Sequence, residues 1–205
     1  TSGPLTVSIT LLGEVPAAES LQRSGAKAGD AVFVTGELGD GAAGLKSLSS
    51  KIDNTFDSDR LLQRFYAPQP QIKTAIRLRG IASACIDISD GLVADLGDIC
   101  QASAVAATIY VEQLPIALDV RELAPDNYLN WALLGGDDYQ LCFTVSADKL
   151  VAVEQLIDSG ELHASKIGTV EIATEATKSS GNLVTVLDSN NSPIEINKQG
   201  YDHFG

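Results

Sequence analysis

The chain has 205 residues, 44% hydrophobic and 20% charged, enough for a sizeable buried core and unlike the composition of a disordered chain. Its formal net charge of −13 disfavours a free-standing nucleic-acid binder and a binder of anionic membranes. No apolar run approaches the roughly 18 residues of a membrane helix and no charged-then-apolar leader is present, so the chain reads as soluble and cytoplasmic.

In chain order, Leu5, Val7, Ile9 and Leu11 alternate with Thr6, Ser8 and Thr10, the period-2 pattern of a strand with one dry face. Residues 13–29 form a connector carrying Val15-Pro16, Ser24-Gly25 and Ala28-Gly29-Asp30, and a domain boundary is expected near its start. Met is absent and the chain opens mid-pattern at Thr1-Ser2-Gly3-Pro4, so it reads as a piece of something longer, with the first strand belonging to an upstream domain. Residues 31–35 read as a buried strand, 36–41 as a glycine-rich turn and 42–48 as the start of a helix. A polar loop over 49–58 leads to a short helix at 59–65. Pro68 and Pro70 then punctuate, with Pro70 near the first turn of a helix running to about Arg79.

Residues 81–88 make an apolar strand. Leu92, Val93, Leu96, Ile99 and Cys100 recur at helical spacing, and Ser89 or Asp90 is placed to cap that helix. Residues 105–111 are β-rich, and Tyr139, Leu141, Phe143 and Val145 alternate. Leu150, Val151, Val153, Leu156 and Ile157 form one apolar helix face, and β-rich segments follow near 165–171, 182–187 and 192–196. Strands and helices interleave without strict βαβ repetition. That predicts an α+β (or α/β) layer fold, a mixed sheet with helices packed on it.

Cys85, Cys100 and Cys142 are odd in number, lack CxxC spacing and sit in apolar stretches, so they read as buried reduced thiols. His163 and His203 are the only histidines, too few for a His-rich metal site, and no Ser-His-Asp triad is offered.

Four motifs carry chemistry. Gly39-Asp40-Gly41-Ala42-Ala43-Gly44 fits G-x-G-x-x-G after a strand, but no strand follows at dinucleotide-site spacing, which favours a tight turn with small residues for close packing. In Asp87-Ile88-Ser89-Asp90-Gly91-Leu92 a strand ends in one acid and a helix starts at another. Two acids with a hydroxyl between them suit Mg²⁺, and a carboxylate at a helix start equally suits a plain cap. Asp95 and Asp98 continue the acidity at helical positions expected to be solvated. Gly135-Gly136-Asp137-Asp138-Tyr139 is either a turn into a strand or a place where backbone approaches a ligand. Gly200-Tyr201-Asp202-His203-Phe204 is either a terminus tucked onto the core or an aromatic platform, with His203 read as structural. Arg23 is either solvated or a bidentate phosphate ligand.

Taken in order with Arg23-Ser24-Gly25-Ala26-Lys27-Ala28-Gly29-Asp30, these segments resemble the thiamine-monophosphate kinase family, of the superfamily shared with aminoimidazole ribonucleotide synthetase and selenophosphate synthetase. The resemblance runs over essentially the whole chain. It implies the carboxyl-terminal domain of that fold at 15–205, with 1–14 as the last strand of an amino-terminal ATP-binding domain. It also implies ATP- and Mg²⁺-dependent phosphorylation of thiamine monophosphate to the diphosphate, and a homodimer formed through the upstream domain. By matching position, Asp87 and Asp90 would bind Mg²⁺, and Ser89 and Arg23 would contact ATP. Asp137, where the family usually has Glu, and Tyr201 would contact the substrate. No nucleophilic side chain is required, so the expected chemistry is direct in-line transfer, with the isolated chain inactive. An ATP-dependent synthetase of the same superfamily and a non-catalytic substrate-binding domain are the competing readings.

Overall fold

The computed structural model describes residue 3 and residues 7–49 and 58–196. Its strands are β1 (Ala31–Thr35), β2 (Ala84–Asp87), β3 (Val105–Tyr110), β4 (Leu141–Val145), β5 (Ala164–Ile172) and β6 (Val184–Leu187). They form one sheet in the order β2-β4-β1-β5-β3-β6. All ladders are antiparallel except β3 with β6. The expected mixed sheet with helices on it is therefore present.

The helices are α1 (Asp40–Ser49), α2 (Ser58–Tyr66), α3 (Ile72–Leu78), α4 (Leu92–Ser103), α5 (Leu118–Leu123), α6 (Tyr128–Leu134), α7 (Leu150–Asp158) and α8 (Glu175–Ser180). They cover both faces, which is why every residue of β1 is buried and the first four are apolar. Val32 and Val34 point to one side, against Ala43 of α1, Leu61 of α2, Leu92, Leu96 and Ile99 of α4, and Leu133 of α6. Ala31 and Phe33 point to the other, against Leu78 of α3 and Val153 of α7. Phe33 pairs across the ladder with Phe143, their rings stacked with centroids 5.4 Å apart. Each such fully buried side chain contributes roughly 1.5–3 kcal/mol.

Residues 7–16 carry no strand, and Val7, Ile9, Leu11 and Leu12 are exposed, Leu12 at 97%. Their alternation suits a strand that pairs within a preceding domain, as the sequence reading expects. Elsewhere the structure corrects several sequence expectations. The strand expected over 81–88 begins at Ala84, because the Ile81 and Ala82 amides close the end of α3 on the Leu78 carbonyl. The β-rich stretch 192–196 yields a single bridge, Leu187 to Pro193. Helices α5, α6 and α8, of six or seven residues, were not anticipated, since they are too short to show a helical period. The three cysteines are free and buried as expected, and burial pushes the thiols of Cys85 and Cys100 up to about 12. No helix of the described residues is long and apolar enough to cross a membrane.

Candidate functional site

Three connections meet at one end of the sheet: the turn from β1 into α1, the loop 88–91 between β2 and α4, and the segment 135–140 from α6 into β4. The last two are laced together beyond their strands. The Ile88 amide donates to the Gln140 carbonyl at 2.7 Å, the Tyr139 amide to the Ile88 carbonyl at 2.9 Å, and the Asp137 amide to the Ser89 carbonyl at 3.1 Å. Asp87 is paired with Leu141 in the adjoining ladder. This joint brings the Asp-Ile-Ser-Asp motif against the Gly-Gly-Asp-Asp-Tyr motif. Glycine is required within it, because a Cβ on Gly136 would collide with the Ser89 carbonyl oxygen.

Two buried carboxylates hold these loops from beneath. Asp95, expected to be solvated, is 5% exposed. One of its oxygens, Oδ2, accepts the amides of both Ser89 (2.9 Å) and Asp90 (3.1 Å). Neither Ser89 nor Asp90 caps α4. Its N-cap is Gly91, which has no side chain to offer, and Asp95 reaches back from the first turn to bind the amides ahead of it. Burial pushes the Asp95 carboxyl up to about 6; the two amide bonds oppose this, while the charges of Asp90 and Asp87 add to it.

Asp138, 8% exposed, accepts the Gly39 amide on Oδ2 (2.7 Å) and the Gly41 amide on Oδ1 (2.9 Å). Burial pushes its carboxyl up to about 7, against the pull of those two bonds. The glycine-rich turn thus engages an anion supplied by its own chain. It also packs tightly, since a Cβ on Gly41 would stand 2.7 Å from the Gly136 carbonyl oxygen. The neighbours of β1 are both antiparallel, so no parallel βαβ unit surrounds this turn. The tight-turn reading of G-x-G-x-x-G is the one the geometry supports.

Of the residues expected at a site, four lie together. Asp87 is exposed at the end of β2, and Ser89 and Asp90 are half-buried on the loop, the Ser89 hydroxyl donating to Asp90 Oδ1 at 3.3 Å. Asp137 is exposed across the joint, and the Tyr139 hydroxyl donates to its Oδ1 at 3.1 Å. Arg23 lies apart from them. Its Nη1 meets Asp98 Oδ2 at 3.2 Å, both side chains largely exposed, and its chain is moored to the far end of α4 by the Gly25 and Ala26 amides donating to Ser103 Oγ. Asp98 is eight residues past Asp90, roughly 12 Å along a helix axis. Tyr201 and the rest of the terminal aromatic motif lie outside the described residues.

Among the described residues no group of three or more His, Cys, Asp or Glu side chains is arranged to hold a metal ion. Asp87 and Asp90 offer two hard carboxylates on adjacent backbone. That donor set fits Mg²⁺, which takes one or two carboxylates and completes its shell with water and phosphate oxygens.

Sequence reasoning missed Asp95, Asp138 and Tyr139, though two had a signal. Leu92, Asp95, Leu96 and Ile99 follow the i, i+3, i+4, i+7 spacing of one helix face, so Asp95 stands inside the buried stripe. Asp138 shares a period-2 register with Gln140 and Cys142, and both faces of β4 are covered.

Residues 27–177 match the family described as AIR synthase related protein, C-terminal domain. The thiamine-monophosphate kinase of Salmonella typhimurium is 40% identical over 207 residues, covering 100% of this chain and 61% of that protein. The crystal structure of the thiamine-monophosphate kinase of Stenotrophomonas maltophilia K279a is 36% identical with a TM-score of 0.74, covering 84% of this chain and 54% of that one. AaThiL complexed with AMPPCP and TMP is 32% identical with a TM-score of 0.71, covering 90% and 54%. The chain spans about three fifths of the length of the curated relatives it matches. With a match over most of its length, and with both loop motifs joined at one end of a six-stranded mixed sheet, the chain belongs to the family of AIR synthase related proteins, C-terminal domain.

Proposed function

We propose that this chain is the carboxyl-terminal part of an enzyme that phosphorylates thiamine monophosphate to thiamine diphosphate with ATP and Mg²⁺. The observation that carries this reading is the joint itself, which sets Asp87, Ser89 and Asp90 across two hydrogen-bonded strand extensions from Asp137. The similarity to thiamine-monophosphate kinases over the whole chain, and a relative complexed with AMPPCP and TMP, support it.

Asp87 and Asp90 would hold Mg²⁺, which when bound neutralises phosphate charge and orients the phosphates. Ser89, its amide fixed by Asp95, presents a hydroxyl to the nucleotide. Asp137 would meet the cationic organic part of the acceptor. The transfer is in line. An acceptor phosphate oxygen bonds to the γ-phosphorus as the bond to the β–γ bridging oxygen breaks, and ADP leaves. No phosphoenzyme is needed, and Cys85 and Cys100, with thiols pushed up to about 12, are unsuited to form one.

Arg23 would turn from Asp98 to the nucleotide and Tyr201 would lie against the substrate rings. Residues 1–14 would complete a ladder in a preceding domain, consistent with the exposed Val7, Ile9 and Leu11. That domain would carry the homodimer contact, in a cytoplasmic enzyme.

The test uses the longer parent chain and its Asp87→Asn variant, each incubated with ATP, Mg²⁺ and thiamine monophosphate and the products separated by chromatography. Thiamine diphosphate from the parent, a loss of at least about a hundredfold in the variant and no turnover by the 205-residue chain alone are expected. ATP consumed without thiamine diphosphate would move the reading to an ATP-dependent synthetase of the same superfamily. No ATP consumption would leave a substrate-binding domain.

A further inference from the structure

We infer that Tyr139 is a positioning residue whose phenol hydroxyl holds the Asp137 carboxylate in the orientation that meets the cationic organic part of the acceptor. This deepens the kinase reading and rests on it, since it takes Asp137 as the acceptor contact.

Asp137 and Tyr139 both have left-handed φ, 67° and 50°. For an aspartate that is tolerable; for a bulky aromatic it is uncommon and costs on the order of 1–2 kcal/mol. Such an outlier persists only where the surroundings over-determine it. Here the Tyr139 amide is held on the Ile88 carbonyl, the Asp137 amide on the Ser89 carbonyl, and Asp138 between them on two glycine amides.

The result of that strain is specific. Two exposed side chains on one short segment meet through a Tyr139 Oη to Asp137 Oδ1 bond of 3.1 Å. An exposed aspartate without such a bond samples several rotamers, and this one is committed before a ligand arrives. The ring is 38% exposed, so the pair stands at the surface where an acceptor would enter. Burial, together with the neighbouring charges of Asp137, Asp87 and Asp90, raises the phenol above its ordinary range, so the hydroxyl keeps its proton and acts as the donor.

The test is a kinetic double-mutant cycle in the longer parent chain. Tyr139→Phe keeps the ring and removes the hydroxyl. It is expected to raise KM for thiamine monophosphate about three- to tenfold, the size of one hydrogen bond, with kcat and the KM for ATP within about twofold. Asp137→Asn is expected to raise the same KM at least as far, and Asp137→Asn with Tyr139→Phe no further than Asp137→Asn alone. A merely structural tyrosine would instead lower thermal stability and kcat and leave the KM values together. An unchanged acceptor KM in Tyr139→Phe, or KM increases that multiply in the double variant, would overturn the inference while the kinase reading stands. A parent chain that makes no thiamine diphosphate would overturn both.

Discussion

Asp40 and Asp119, at the start of α1 and in α5, satisfy their charge with a guanidinium, whereas Asp95 and Asp138 satisfy theirs with peptide amides. Arg60 on α2 bonds Asp119 through Nε and Nη2, both at 2.7 Å, and Asp40 through Nη1 and Nη2, both at 2.8 Å. Arg64 adds a bond to Asp40 at 3.1 Å. Burial alone would raise the Asp119 carboxyl, but Arg60 outweighs it and holds the group below its usual range. Burial pushes Asp95 and Asp138 the other way, to about 6 and about 7, because their amide bonds pull the carboxyls down less than burial raises them. The first arrangement fastens three helices. The second fastens two loops, 88–91 through Asp95 and the glycine-rich turn through Asp138.

That contrast can be broken at several points. The largest effect is expected from Gly136→Ala, whose Cβ meets the Ser89 backbone and must part the two loops. About 2–3 kcal/mol of stability and most of the parent chain's turnover should be lost, measured by urea denaturation and product formation. Arg60→Ala strips both bonds from Asp119 and leaves the buried Asp40 with Arg64 alone. About 2 kcal/mol should be lost, less than for a fully buried pair because Arg60 is partly exposed.

Asp138→Asn sharpens the comparison. Asparagine can accept only one of the Gly39 and Gly41 amides, at a cost of about 1–2 kcal/mol. The sign of the pH dependence follows from the raised carboxyl. The folded chain binds this proton more tightly than the unfolded chain, so the contribution is complete below about 4 and is lost as pH rises through about 7. Denaturation midpoints should fall between pH 5 and pH 8, and the fall should shrink in Asp138→Asn. The smallest effect on stability is expected from Arg23→Ala, within about 0.5 kcal/mol, since its pair with Asp98 is largely exposed. A rise in the KM for ATP in that variant would show that Arg23 leaves Asp98 to serve the nucleotide.

Much of this architecture was legible along the chain. The run Ala31–Thr35 announced a strand buried on both faces, and Leu92, Leu96 and Ile99 announced α4. The acids of the site were legible as types and spacings. Their fastenings were not. A carboxylate on a helix stripe reads as solvated until one knows that two amides stand opposite it, and Asp95 was misread for that reason. The strand read at 5–11 is assigned to a preceding domain, and alternation shows which of its faces would be dry without naming the neighbour that pairs with it.

By itself the sequence determined the local elements, the acidic balance and the motifs that place the chain near the thiamine-monophosphate kinases. Periodicity and turn chemistry act over a few residues and are written in residue order. Only the tertiary structure decided that the Asp-Ile-Ser-Asp and Gly-Gly-Asp-Asp-Tyr segments extend one ladder, that Asp95 and Asp138 are buried beneath it, and that Tyr139 bonds Asp137. These depend on which strands become neighbours, β2 beside β4, a pairing set by long-range packing rather than by any pattern within either segment.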